Sequence, residues 1–467
     1  MKKYLSFRKK YPKFIYRNFD WKILGKNLEI SFDFLIEPEF HFKPKLIIEN
    51  VKKSQIERVG KRVLDNLVFN LGLIEMLSYW KATCSKEIEI RAGNLNKEQL
   101  RWWKNLILKG MGQYFFENKI DFREKSFIKI KSDNKKYAIA ENLSSVKDKV
   151  LIPIGGGKDS IVTYEILKKT KKNLIFFSLN PNETIKKIIK ISGQKNSIFV
   201  KRKFDQKLLE LNKRGFLNGH TPFTAYLSFL AVLVATLFGI KYIAFSNERS
   251  SEEGNLEYLG EIINHQYSKT FEFEKNFRKY LKKYLIKNVE YFSFLRPLYE
   301  IQIVKLFSNY HRYFDSFLSC NKAYKIKKPL KKWCGKCPKC LFVFASLYPF
   351  VGKKVIEIFG KNLFEDKKLL PLMHQLIGER KFKPFECVGT KKESKIAFYL
   401  SLKKYKKEGI KRLPILLDYF EKKILPKEKK LEILSKILLN SWLERNFLPK
   451  PFEKRLKSVY FQNVSVF

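Results

Sequence analysis

The chain has 467 residues, 45% of them hydrophobic and 15% aromatic. That is enough length and apolar surface to bury real cores, which excludes disorder as a global description. Lys and Arg number 95 against 46 Asp and Glu, a net charge of +49. Such a charge invites a phosphate-rich partner. The basic residues are spread along the whole chain rather than gathered on one face, so the excess reads as compositional, and no stable nucleic-acid partner is expected.

Met1-Lys2-Lys3 is basic, but Arg8, Lys9, Lys10 and Lys13 interrupt the next residues, so no secretory apolar core forms. Residues 1–50 read as extended, with period-two alternation in Leu28-Glu29-Ile30-Ser31-Phe32-Asp33-Phe34. Residues 54–80 carry apolar side chains at helical spacing, among them Ile56, Val59, Val63, Leu64, Leu67 and Leu71. A short strand at Ile88-Glu89-Ile90 and a helix over Asn96–Phe116, capped by Asn96, come next. Residues 1–145 thus form a mixed α/β region of their own.

From Lys149 the pattern changes. Val150-Leu151-Ile152-Pro153-Ile154 is a buried strand, followed by three glycines and a helix to about Lys169. Strands at Leu174–Ser178, Ser197–Val200 and Tyr242–Ser246 alternate with helices, which predicts a parallel sheet covered on both faces. Phe223 to Ile240 is uncharged and close to the ~18 residues of a membrane helix. Pro222 before it, Thr224, Ser228 and Thr236 within it, and the strand after it predict a buried helix instead. No membrane span is expected, and a cytoplasmic location is. After Leu341 the chain is mostly helical by period.

Gly155-Gly156-Gly157-Lys158-Asp159-Ser160 lies between a strand and a helix. The glycines let backbone N–H groups approach an anion, and the helix N-terminus adds a positive dipole. Lys158 adds charge, Asp159 offers a metal oxygen ligand, and Ser160 a cap or phosphate contact. The spacing is not that of a Walker loop. Cys334-Gly-Lys-Cys337-Pro-Lys-Cys340, with Cys320 upstream, suits a closed tetrahedral zinc site, with an iron–sulfur cluster as the alternative. Three more polar stretches fall where core is expected: Asn218–Phe223 with His220, Ser246-Asn247-Glu248-Arg249-Ser250, and Asn264-His265-Gln266-Tyr267-Ser268-Lys269-Thr270. In a parallel sheet, loops at the carboxyl ends of strands line the ligand crevice. Glu248 is a candidate Mg²⁺ ligand and Arg249 a candidate phosphate contact.

The glycine loop resembles the Ser-Gly-Gly-x-Asp-Ser signature of the PP-loop ATP pyrophosphatases, with Gly155 in place of the first serine. That superfamily cleaves ATP between the α and β phosphates, adenylates a carboxylate or carbonyl oxygen and releases pyrophosphate. These loops and the cysteine cluster, with Lys383-Pro384-Phe385-Glu386-Cys387-Val388-Gly389-Thr390 and Leu71–Lys81, narrow the resemblance to the UDP-N-acetylmuramoyl-L-alanyl-L-glutamate epimerase family.

The resemblance implies an α/β fold: a parallel doubly wound PP-loop sheet with an N-terminal mixed region, a four-cysteine zinc knuckle and a helical C-terminal region. The resemblance spans roughly residues 10–395, and the pattern along the chain divides it into an N-terminal domain at 1–145, an expected ATP-binding domain with the knuckle at 146–345, and a helical region at 346–467. The resemblance implies an ATP-dependent isomerase of peptidoglycan precursor synthesis, which inverts the terminal glutamate of a UDP-linked muramoyl dipeptide and releases AMP and pyrophosphate. ATP and Mg²⁺ would sit on Gly155–Ser160, Ser178 and Asn247–Arg249, with Asp159 and Glu248 near the ion. His265, Tyr267, Lys269 and His220 are the candidates for proton transfer. Two other readings stay open: a ligase of the 7-cyano-7-deazaguanine synthase type, and a tRNA-modifying or RNA-binding PP-loop protein.

Overall fold

The structure is a computed structural model and describes residues 3–132, 138–143, 145–170, 172–324, 330–409 and 412–462. Its thirteen strands are β1 (Lys13–Leu24), β2 (Asn27–Ile36), β3 (Phe40–Phe42), β4 (Lys45–Ile48), β5 (Glu87–Ile90), β6 (Lys129–Ser132), β7 (Lys147–Pro153), β8 (Asn173–Leu179), β9 (Ser197–Lys203), β10 (Ile240–Phe245), β11 (Leu256–Tyr258), β12 (Glu261–Ile263) and β13 (Glu290–Ser293).

Eleven of them form one sheet in the order β13-β10-β7-β8-β9-β4-β2-β1-β5-β6, with β3 on β2. β13 to β9 run parallel. This five-strand run has the 3-2-1-4-5 order of a doubly wound sheet, reversing direction between β7 and β10. The sheet continues into the N-terminal region because β4 pairs antiparallel with β9, Ile48 opposite Val200. It therefore crosses residue 145 without a break. The N-terminal strands are mixed: β4, β2 and β1 pair antiparallel, while β5 and β6 pair parallel.

Side-chain alternation along the central strands feeds two cores. Leu151, Ile175, Phe177 and Ile243 face the apolar helix Phe223–Phe238 and the N-terminal helices. Val150, Ile152, Leu174, Phe176 and Ala244 face the helices Lys158–Leu167, Glu300–Phe307 and Pro338–Val351. Strands covered on both faces read as continuous apolar runs, and these do. The region after Leu341 is helical, as its periodicity predicts, and packs on the second core through Phe398, Tyr405, Phe420 and Leu431.

The helix expected over 54–80 is divided at Gly60, where φ is +79, and again at Met76. The Asn96 cap forms: its Oδ1 accepts the Gln99 backbone N–H at 2.9 Å. That helix breaks at Gly110-Met111, where a Cβ on Gly110 would lie 3.0 Å from Pro222. The apolar helix has 16 residues and ends at Gly239 in the left-handed conformation before turning into β10. Among the described residues no helix is long and apolar enough to cross a membrane.

Candidate active site

The glycine loop leaves β7 and the Ser246–Ser250 loop leaves β10, the two strands between which the order reverses. In open α/β sheets this is where a ligand crevice forms. Gly156 has φ +80, a conformation that suits glycine. A Cβ on Gly155 would meet nothing within 4 Å, so the loop presents open space there. On Gly157 a Cβ would lie 3.3 Å from Ser319. Leu318 N–H donates to the Gly156 carbonyl at 2.9 Å, so the chain just before the cysteine cluster braces the loop. Gly157 caps the Lys158–Leu167 helix, and Ser160 Oγ donates to its carbonyl at 3.1 Å.

Behind the loop lies a buried ionic cluster. Lys158 is 1% exposed, and its Nζ donates to Asp159 Oδ1 at 2.5 Å and to Glu300 Oε2 at 2.8 Å. Lys339 Nζ reaches the other oxygen of Glu300 at 3.5 Å and donates to the Cys387 carbonyl. Lys269 Nζ lies 3.3 Å from Cys387 Sγ. The Lys158 ammonium has three N–H donors and so bridges both carboxylates. Burial would raise Glu300, but Lys158 and Lys339 outweigh it and hold the group at about 2. Asp159 is pushed up to about 6, first by burial and then by the Glu300 charge. Glu248 is also raised, by burial first, with Glu300 and Cys387 adding to it against Lys269 and Lys158. Burial pulls the Lys269 ammonium down, but Cys387, Glu248, Asp159 and Glu300 together push it up.

Sequence reasoning did not single out Glu300 or Lys339. Glu300 sits in Glu300-Ile-Gln-Ile-Val-Lys305, which reads as an ordinary amphipathic turn, and Lys339 reads as a lysine of the knuckle. The one usable signal for Lys339 was its place between two ligand-type cysteines. Arg296, fully buried, was missed too. It pairs with Glu274 at 3.2 Å, donates to the Glu248 carbonyl at 2.9 Å and donates to the Lys269 carbonyl, so it joins the β10 loop to the 264–270 loop.

The other expected residues divide by what they touch. Ser178, next to last in β8, has a buried hydroxyl with no hydrogen-bond partner, and so does Ser246, just after β10. Asn247 donates to Ser293 Oγ at 3.1 Å and so ties the crevice to β13. Arg249 lays its guanidinium 4.3 Å from the Tyr299 ring, next to Glu300. The Tyr267 hydroxyl donates to Glu272 at 3.1 Å and accepts from Asn105 at 3.1 Å, so it is committed to neighbouring helices. His220 and His265 meet with ring centroids 6.0 Å apart. Both are held down at about 3: His220 by burial, then His265 and Lys81, and His265 by burial, then Lys269, Lys383 and Lys339. Both rings are therefore neutral. His265 Nε2 is buried with no partner, as is Gln266 Oε1.

Cys320, Cys334, Cys337 and Cys340 come together with all four sulfurs within 4.8 Å of one another, the one such Cys/His/Asp/Glu group of three or more among the described residues. Separations of 3.9 Å (Cys320–Cys337), 3.6 Å (Cys334–Cys340) and 3.5 Å (Cys337–Cys340) fit a tetrahedral ion, since zinc–sulfur bonds of about 2.3 Å put sulfurs ~3.8 Å apart. Pro338 opens the next helix, a position that favours proline. The donor set fits structural zinc, and four sulfurs leave no open coordination position. The knuckle also places Lys339 inside the ionic cluster.

Two family models match the chain, the MurL N-terminal domain over residues 6–294 and the MurL C-terminal domain over residues 316–430. Three relatives each carry the name UDP-N-acetyl-alpha-D-muramoyl-L-alanyl-L-glutamate epimerase. The one from Micromonospora sp. is 35% identical over 71% of this chain and 73% of its own length. That from Xanthomonas oryzae pv. oryzae is 34% identical over 70% and 72%. That from Salinispora tropica is 41% identical over 54% and 55%. The chain belongs to the MurL family of epimerases and is an enzyme of the isomerase class.

Proposed function

We propose that this chain inverts the terminal L-glutamate of UDP-MurNAc-L-Ala-L-Glu by adenylating its carboxylate with ATP, in the manner of a PP-loop enzyme. The observation that carries the reading is the convergence of the Gly155–Gly157 loop, its helix N-terminus and the Lys158–Asp159–Glu300 cluster at the strand-order reversal. The unpartnered hydroxyls of Ser178 and Ser246 support a ligand in that crevice, because buried polar groups rarely stay unpaired. The relatives' shared name supplies the substrate. Residues 146–345 would then be the nucleotide-binding unit, carried on a sheet shared with residues 1–145, with residues 346–467 covering its second face. Such a substrate belongs to the cytoplasm.

The chemistry explains why ATP is used for a reaction between two diastereomers of similar free energy. A proton α to a carboxylate is very weakly acidic, since its removal puts a second negative charge on the same group. Adenylation removes that charge, and each pK unit gained is worth about 1.4 kcal/mol. The glycine cradle would hold the pyrophosphate portion. Asp159 and Glu248 are oxygen donors that fit Mg²⁺, which would neutralise phosphate charge. Lys269 and Lys339 would stabilise the enolate oxygen. Of the four proton-transfer candidates, His265 carries a free buried lone pair and is favoured, with His220 beside it. Lys269 acts as a cation, and Tyr267 holds the loop.

The test is one incubation with ATP, Mg²⁺ and UDP-MurNAc-L-Ala-L-Glu, followed by nucleotide analysis and chiral analysis of the glutamate. AMP together with D-glutamate is expected. ADP, or inversion that proceeds without nucleotide, would overturn the adenylation reading.

A further inference from the structure

One buried amide, Asn255, hooks together two chain segments that meet beside the crevice. Asn255, 2% exposed, donates through Nδ2 to the Pro384 carbonyl at 2.8 Å and the Lys383 carbonyl at 3.4 Å. Its orientation is thereby fixed, with Oδ1 turned to His265. That oxygen accepts the His265 backbone N–H at 3.0 Å and lies 3.0 Å from Nδ1. An amide oxygen only accepts, so Nδ1 carries the hydrogen and Nε2 carries the bare lone pair. His265 is 8% exposed and its Nε2 has no hydrogen-bond partner, a state that a bound ligand would relieve.

The segment hooked by Asn255 brings a second group to the same place. The Phe385 ring packs against His265 at 6.1 Å between centroids. Two residues on, Cys387 sets its sulfur 3.3 Å from Lys269 Nζ, and its carbonyl accepts from Lys339. Lys269 and His265 share one short loop. A neutral imidazole with a free lone pair and a thiol beside a fixed ammonium thus reach the site from two different chain segments. Inversion at carbon needs two such groups, one for each face.

We propose that Cys387 is the second proton carrier of the epimerisation, returning a proton to the face of the α-carbon opposite His265 Nε2. This rests on the ATP-dependent reading. His265 Nε2 takes the α-proton of the adenylated L-glutamyl unit, and the C–H electron pair passes into the enolate. The carbonyl re-forms as the α-carbon takes the proton of the Cys387 thiol. The S–H pair stays on sulfur as thiolate, whose charge Lys269 balances. A proton passing from the His265 imidazolium to the thiolate through solvent resets the pair, and water then cleaves the mixed anhydride, giving the free D-glutamyl carboxylate and AMP.

The experiment compares the full-length wild type and Cys387→Ala in D₂O with ATP, Mg²⁺ and UDP-MurNAc-L-Ala-L-Glu. It reads AMP, α-deuterium in L-glutamate, and D-glutamate. The variant should still release AMP and still wash deuterium into L-glutamate, because His265 removes and returns the proton on its own face. Its D-glutamate should fall by about a hundredfold or more. D-glutamate formed at close to the wild-type rate would overturn the proposal. So would loss of AMP and inversion together in a variant that melts like the wild type, since the cysteine would then serve adenylation. A wild type that yields neither AMP nor inversion overturns the parent reading instead. Should Cys387→Ala fail to fold, Cys387→Ser keeps the packing and must show the same washout without inversion.

Discussion

Two of the buried ionic clusters, Glu75–Arg202 and the group behind the glycine loop, differ in how their members are arranged. At the first, Glu75 and Arg202 are 2% and 7% exposed and meet through Nε at 2.8 Å and Nη2 at 2.9 Å. Nη2 also donates to Ser78 at 2.8 Å, and the guanidinium lies over Phe204 and Tyr226. One cation meets one anion with matched geometry, and the pair joins the Lys61–Glu75 helix to β9. At the second, three lysines and three carboxylates crowd behind the glycine loop. One ammonium is shared between two acids, and Asp159 is raised to about 6. The side chains of the first pair are buried throughout, whereas the Asp159 side chain of the second is 27% exposed. The Glu75–Arg202 pair is a clamp, and under the proposed function the Lys158 cluster receives the charge of a nucleotide and its ion.

The largest effect that sharpens this contrast lies at the four-cysteine knuckle, which carries Lys339 into the second cluster. Cys337→Ser should lose about one zinc per chain and soluble protein together, read by metal analysis and thermal melting. A soluble, zinc-free and active variant would show the knuckle to be dispensable. Next is Asp159→Asn, which keeps an acceptor for Lys158 but removes the charge. AMP release should fall by about a thousandfold with little change in melting temperature. Near-normal AMP release would remove Asp159 from the chemistry.

The clamp should respond in the opposite way. Glu75→Gln leaves Arg202 as an uncompensated buried charge and should cost about 3–5 kcal/mol in denaturant unfolding, with activity per folded molecule retained. A cost well under 1 kcal/mol, or lost turnover in folded protein, would merge the two clusters into one kind. The smallest effect is at Lys81, whose Nζ donates to the Gly219 carbonyl at 2.8 Å. Burial, then Arg202, lowers its ammonium to about 8 from 10.5. The folded state thus binds fewer protons than the unfolded one between those values, so this group adds stability as pH rises from 8 to 10.5. Lys81→Met should flatten the rise in that window relative to wild type, and an unchanged slope would contradict the assignment.

Much of the second cluster was legible in the sequence because its loops are local. The glycine run, the cysteine spacing and the polar stretches after β10 and β12 each announce themselves within a few residues. The strands β7 to β10 were legible too, since burial on both faces leaves continuous apolar runs. What stayed hidden is nonlocal. The union of both halves into one sheet depends on β4 pairing with β9, a contact between segments some 150 residues apart. Glu300 and Lys339 look like surface charges until the fold buries them. The role of Glu75, visible in the sequence only as part of a resemblance, depends on Arg202 across the sheet. Tyr267 is a case where local reading gives only part of the picture: its neighbours in sequence make it a proton-transfer candidate, and the fold adds hydrogen bonds from its hydroxyl to Glu272 and from Asn105.

The central claim is that adenylation is what makes the α-proton removable. The most direct measurement is the rate of α-deuterium uptake from D₂O into UDP-MurNAc-L-Ala-L-Glu by the wild type, with Mg²⁺, in the presence and absence of ATP. The account predicts uptake and AMP together with ATP, and no uptake without it. Uptake at the same rate without ATP would contradict it.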